Sequence, residues 1–100
     1  MRLTHSAEQD LAELWAYIAA QASEIVATSF LVQLQAQYEN LVRFPESGAP
    51  RDQLVPGLRV QLFRGYASYY RVEERYVIIV RVLSGRQDIT ALAGAAGFEG

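Results

Sequence analysis

Every cationic side chain in this sequence is an arginine; there are nine, and no lysine. Codon bias in a GC-rich genome is the plain explanation. Even so, a guanidinium is a planar fork that suits bidentate or stacked recognition better than an ammonium does. Seven of the nine lie at or after Arg51, whereas most acids precede Asp52. By strand parity Arg59, Arg71 and Arg81 can share one sheet face, where they could grip phosphates. Around them the sequence offers little that moves a proton. There is no cysteine, so a disulfide framework and a thiolate metal site are excluded, and His5 is the one histidine, which strongly disfavours a zinc centre. Asp10 and Glu13 stand three apart and resemble a carboxylate pair, but no second acidic pair completes a metal site, and solvated helix acids are the simpler reading. Tyr66, Tyr69, Tyr70 and Tyr76 have the type of side chain that stacks bases, yet tyrosines on a sheet more commonly pack across strands. No cofactor is expected.

The elements that must carry these residues are readable from periodicity. Arg2 to Thr4 reads as a short opening strand. Ser6 with Gln9 forms an S-x-x-Q capping box, and Ala7, Leu11, Leu14, Trp15, Ile18 and Ala22 then follow at helical spacing. Ser23 and Glu24 offer a second helix start. Ala27, Phe30, Leu31, Leu34, Tyr38, Leu41 and Val42 continue that helix to Arg43, where Pro45 forbids extension. So short a break predicts an antiparallel helical hairpin. Pro45 to Gly57 reads as an ordered loop.

Beyond the loop the period changes to two. Leu58, Val60 and Leu62 alternate with Arg59, Gln61 and Phe63. After the Gly65 turn, Tyr66, Ser68, Tyr70 and Val72 alternate with Ala67, Tyr69 and Arg71, and Arg75 to Leu83 is the most β-prone run. The expected architecture is α+β: a short N-terminal strand and a two-helix hairpin packed on a C-terminal antiparallel three-stranded meander. Strict alternation puts Tyr76, Ile78, Val80 and Val82 on one face of the last strand and Val77, Ile79 and Leu83 on the other. One face can take the hairpin, and the other has no obvious partner within the chain, so a second polypeptide is expected to cover it, with the chain's own tail folding back as the alternative. One domain is expected over residues 1–90, with a loosely ordered tail over 91–100.

A composition of 51% hydrophobic and 20% charged residues is ordinary globular usage, and the net charge of −2 argues against a nonspecific nucleic-acid coat. No apolar run reaches the ~20 residues of a membrane span, and His5, Glu8 and Asp10 interrupt any signal-peptide core, so a cytoplasmic location is the expectation.

Short motifs accompany this order of elements. The A-x-x-D-L-x-x-[IL]-x-x-Y-[IV] signature stands as Ala7, Asp10, Leu11, Leu14, Tyr17 and Ile18. L-x-x-x-P-x-x-G is carried by Leu41, Pro45 and Gly48, and G-L-R by Gly57, Leu58 and Arg59. Tyr66, Tyr70 and Val72 follow as Y-x-x-x-Y-x-V. The exit I-x-R-V-L-x-G-R-x-D is Ile79, Arg81, Val82, Leu83, Gly85, Arg86 and Asp88. In order and spacing these motifs resemble the ParE/RelE superfamily of toxins from bacterial type II toxin–antitoxin pairs, closer to the ParE-like side; the likeness covers residues 2 to about 90 and implies a toxin held in a hetero-oligomer by a cognate, ParD-like antitoxin. Val77, Ile79, Leu83, Phe63 and Tyr69 are the candidate antitoxin-binding residues.

The superfamily splits between ribosome-dependent endoribonucleases and inhibitors of DNA gyrase. Metal-free RNA cleavage needs a base for the 2′-hydroxyl, an acid for the leaving oxygen and cations for the phosphorane. Here Ser84 stands where many relatives have histidine, and no tyrosine or histidine follows Arg86. The resemblance therefore implies DNA gyrase as the target and no direct sequence-specific nucleic-acid binding, with a ribonuclease or a non-toxic relative as alternatives. Arg59, Arg81 and Arg86 are the candidate target-binding residues, and the same three would serve a ribonuclease. The plainer alternative is solvated arginines, or ion pairs with Glu73, Glu74 or Asp88.

Overall fold

Thr4, not Ser6, starts the first helix. In the computed structural model, which describes residues 1–84, α1 runs His5–Gln21 and the Thr4 hydroxyl accepts from the Ala7 amide at 3.0 Å. Both residues have capping chemistry, and tertiary contact decides between them. Strand β1 (Arg2–Leu3) pairs parallel with the last strand, and Thr4 continues that ladder: its amide donates to Ile79 O at 3.0 Å and its hydroxyl to Val80 O at 2.7 Å. One hydroxyl thus caps a helix and fixes that helix to the sheet. His5 is exposed beside the cap.

The second helix, α2, spans Glu24–Arg43 and starts as expected, with the Ser23 hydroxyl accepting from Val26 N at 3.1 Å. Trp15 donates from its indole to the Thr28 hydroxyl across the hairpin at 3.1 Å. Leu14, Leu34, Tyr38 and Leu41 carry the apolar stripes into the core, while Val42 remains half exposed. Full burial of a side chain such as Leu34 or Leu41 contributes about 1.5–3 kcal/mol.

Among the described residues five strands form one sheet, ordered β1-β5-β4-β3-β2, with β2 Ala49–Pro50, β3 Arg59–Phe63, β4 Tyr66–Glu73 and β5 Tyr76–Ser84. β3, β4 and β5 make the expected antiparallel meander. β2 is an addition, a short strand inside the segment expected to be all loop, and it pairs Ala49 with Val60 and Pro50 with Arg59. The two tight turns are two-residue connections. Arg64 and Gly65 both hold positive φ (48° and 84°), the conformation of a type I′ turn, and Glu74 has φ 55°.

The last strand departs from strict alternation. Tyr70 pairs with Ile79 and Tyr69 with Arg81, so Val80 is the extra residue of a β-bulge. A bulge exchanges the faces of everything beyond it. Val77, Ile79 and Val82 pack with Leu14, Leu34, Tyr38 and Leu41 beneath the helices. Ile78, Val80 and Leu83 join Leu58, Val60, Ala67 and Tyr69 on the opposite face. Parity had placed Leu83 with Val77 and Ile79, and Val82 with Val80.

That opposite face is not left open, contrary to expectation. Leu54, Val55 and Leu58 of the loop fold over it. The loop holds this shape through backbone bonds from Arg51 N to Leu58 O (2.7 Å), Leu54 N to Arg51 O (3.0 Å) and Leu58 N to Val55 O (3.0 Å), and through Asp52, whose carboxylate accepts from Gly57 N at 2.8 Å.

Candidate functional site

The structure separates the arginines that parity had grouped. Arg81, on β5, reaches back to α1, where Asp10 takes its Nε at 2.8 Å and its Nη2 at 3.1 Å. The same carboxylate accepts from the Val82 amide at 2.9 Å. β1 ends opposite Ile79, so Asp10 supplies the acceptor that a longer strand would have provided at the sheet edge. The pair is largely shielded, with side-chain exposures of 17% and 10%, and the bond to Asp10 pushes the Arg81 pKa up. Asp10 is therefore not a solvated helix acid. A pairing across 71 positions left only its place in the A-x-x-D-L signature as a signal.

Arg59 lies on the far side of β4 from Arg81. Its Nη1 donates to the carbonyls of Glu46 (3.0 Å) and Gly48 (2.7 Å), which fixes the guanidinium plane against the loop that follows α2. Tyr70 holds the same loop from beneath: its hydroxyl donates to Pro45 O and accepts from Gly48 N, both at 2.8 Å. Arg71 pairs at the surface with Glu73 at 2.7 Å. Arg86 and the expected tail lie outside the described residues.

Concave regions flank these arginines among the described residues. A cavity of about 550 Å³ is lined by Arg43, Phe44, Pro45, Glu46, Arg59 and Val72, among others. In the sequence Arg43 and Phe44 read only as the end of α2, and Val72 only as a place in the Y-x-x-x-Y-x-V motif. Another region, about 720 Å³, lies beside the Asp10–Arg81 pair and includes Glu13, Tyr17, Arg64 and Tyr66. The Tyr66 hydroxyl is raised by burial first and by Tyr17 second.

The arrangement favours binding. Guanidiniums held in fixed planes recognise carboxylate or phosphate oxygens. Among the described residues, no group of three or more His, Cys, Asp or Glu is placed to hold a metal ion. The buried Tyr38 hydroxyl, 2.7 Å from the Ser68 hydroxyl, is pushed up to about 12 by burial and is a poor proton donor near neutrality.

The five residues expected to meet an antitoxin do not share a face. Phe63, Val77 and Ile79 lie on the helix side, with Phe63 tilted against Phe30 at 5.6 Å, while Tyr69 and Leu83 lie on the loop side. Val77, Ile79, Leu83 and Tyr69 are all buried by this chain itself. Among the described residues the most exposed large apolar side chains are elsewhere, at Ile25 (82%), Leu62 (72%), Val32 (62%) and, at 59% each, Tyr17 and Phe44.

The family model described as the ParE toxin of the type II toxin–antitoxin system, parDE, matches residues 1–89. This chain belongs to the ParE toxin family. It is 31% identical to Toxin ParE1 of Caulobacter vibrioides over 93 residues, 93% of this chain and 96% of that protein. With Toxin ParE3 of the same organism it shares 33% identity over 69 residues, 69% of each chain. The fold of this ParE-family chain recurs in a solved structure titled as the chromosomal ParDE TA system from P. aeruginosa. There the TM-score is 0.72 at 24% identity, with 83% of this chain and 91% of that one covered. The order of one short strand, two helices and a meander is thus the family's fold. No helix among the described residues is long and apolar enough to cross a membrane.

Proposed function

We propose that this ParE-family chain is a cytoplasmic toxin, neutralised by a cognate ParD-like antitoxin, that acts by binding DNA gyrase and trapping it in a DNA-cleaved state. The observation that carries binding over RNA cleavage is the state of the arginines. Arg81 is committed to Asp10 and Arg59 is anchored on two loop carbonyls. A ribonuclease would instead gather its cations around one phosphorane beside an acid and a base. On this reading Arg59 and Arg86 contribute to the target surface, and Arg81 serves it by holding the end of β5. The solved relative titled as a ParDE system supports the antitoxin partnership.

Inducing the chain alone in a bacterial host, and then together with the antitoxin encoded beside it, tests the reading. Expected are growth arrest with a DNA-damage response and continued translation, relieved by the antitoxin. Immediate translation arrest with cleaved messenger RNA would replace this reading with the ribonuclease. Harmless induction would leave a relative that keeps only the fold.

A further inference from the structure

The cavity behind the end of α2 combines features that the toxin fold alone does not require. Pro45 stops the helix, and the chain turns at once, with Ser47 N donating to Phe44 O at 3.0 Å. That turn leaves Phe44 59% exposed, lining one cavity with Val72 of β4, itself 41% exposed. Single exposed apolar residues need no explanation. An exposed phenylalanine and valine lining one concavity with two guanidiniums and the single carboxylate of Glu46 make a composite surface, part apolar and part charged, with a net positive charge.

The cations have capacity to spare. Among the described residues Arg59 bonds to the protein through Nη1 alone, so Nε and Nη2 keep donors in a plane already fixed. Arg43 is exposed at the last position of α2, and neither arginine forms an ion pair among the described residues. A fork held in place loses little freedom when it binds a carboxylate. A volume of about 550 Å³ accepts one or two side chains rather than a folded domain.

We infer that this cavity anchors an acidic segment of the neutralising protein: a carboxylate on Arg43 and Arg59, with a neighbouring apolar side chain against Phe44 and Val72. Charge complementarity selects the occupant. Two cations on a chain of net charge −2 do not make the track that a nucleic-acid backbone needs, and an apolar half-pocket rewards an aliphatic or aromatic side chain. The inference rests on the antitoxin reading above.

Its test uses the full chain and the antitoxin encoded beside it. Affinity is measured by calorimetry at low and high salt for the parent and for Arg43→Glu, Arg43→Lys and Phe44→Ser, with circular dichroism confirming that each variant folds. Expected are losses of about tenfold or more for Arg43→Glu and Phe44→Ser, a much smaller loss for Arg43→Lys, and a salt dependence that Arg43→Glu reduces. Parent binding with all variants within about twofold would overturn the pocket assignment and leave the antitoxin reading standing. No binding by the folded parent would overturn both. Capture of a short single-stranded RNA that Arg43→Glu abolishes, with antitoxin affinity unchanged, would assign the cavity to nucleic acid instead.

Discussion

Asp10 engages Arg81 through both carboxylate oxygens and takes the Val82 amide on one of them, so a helix acid completes the sheet edge where the first strand ends. Asp10→Ala should therefore cost roughly 2–3 kcal/mol, because it strands a shielded guanidinium and a strand amide together. For a domain of this size that is a fall of about 10–20 °C in Tm by calorimetry. Adding Arg81→Met to Asp10→Ala should restore part of the loss. A double variant whose penalties simply add would show that the two residues do not act as a pair.

Gly48 is required by close approach. A Cβ there would stand 2.6 Å from Tyr70 Cε1 and 2.8 Å from the backbone oxygen of Val60, and backbone cannot swing aside. Gly48→Ala should destabilise by about 2 kcal/mol or more, with the denaturation midpoint falling and the slope unchanged. Tyr70→Phe, which removes the hydroxyl tying Pro45 to Gly48, should cost about 1–3 kcal/mol. A neutral Gly48→Ala variant would contradict the clamp.

Tyr38 makes stability sensitive to alkali. Its hydroxyl is raised from 10.0 to about 12, chiefly by burial. The fold therefore favours the neutral phenol, and this contribution is fully present below pH 10 and lost as pH rises towards 12. Its size is on the order of 2–3 kcal/mol. Tyr38→Phe should be less stable at pH 7, having lost the bond to Ser68, yet its stability should fall less between pH 9 and 11 than the parent's. Parallel curves would contradict the assignment.

Much of the fold is legible in the residues themselves. The 3.6 period, Ser23 and Pro45 mark α2 because capping and helix breaking are local chemistry, and the change of period at Leu58 marks the meander. What is hidden is non-local. Thr4 outcompetes Ser6 only because Val80 O waits across the sheet. The bulge at Val80 leaves no trace in a run of uniformly β-prone residues, and with it goes the face assignment of Val82 and Leu83. Leu54 and Val55 look like ordinary loop residues until the sheet beneath them is in place. The candidate site divides in the same way. Arg59 and Arg81 stand out by type, but Asp10, Phe44 and Val72 gain their roles from neighbours distant in sequence.

Glu74 holds φ 55° in the two-residue turn between β4 and β5, a conformation that costs most side chains energy and that asparagine tolerates. Glu74→Asn should stabilise the chain by roughly 0.5 kcal/mol, raising Tm by about 2–4 °C. A lower Tm would show that the glutamate side chain contributes more than the backbone strain costs.

The central claim, a family member that acts by binding gyrase, is tested most directly by adding the purified full chain to DNA gyrase and relaxed plasmid in parallel with translating ribosomes. The account predicts dose-dependent loss of supercoiling, accumulation of cleaved DNA held by gyrase, and intact message on the ribosomes. Undisturbed supercoiling alongside codon-phased cuts in the message would contradict it.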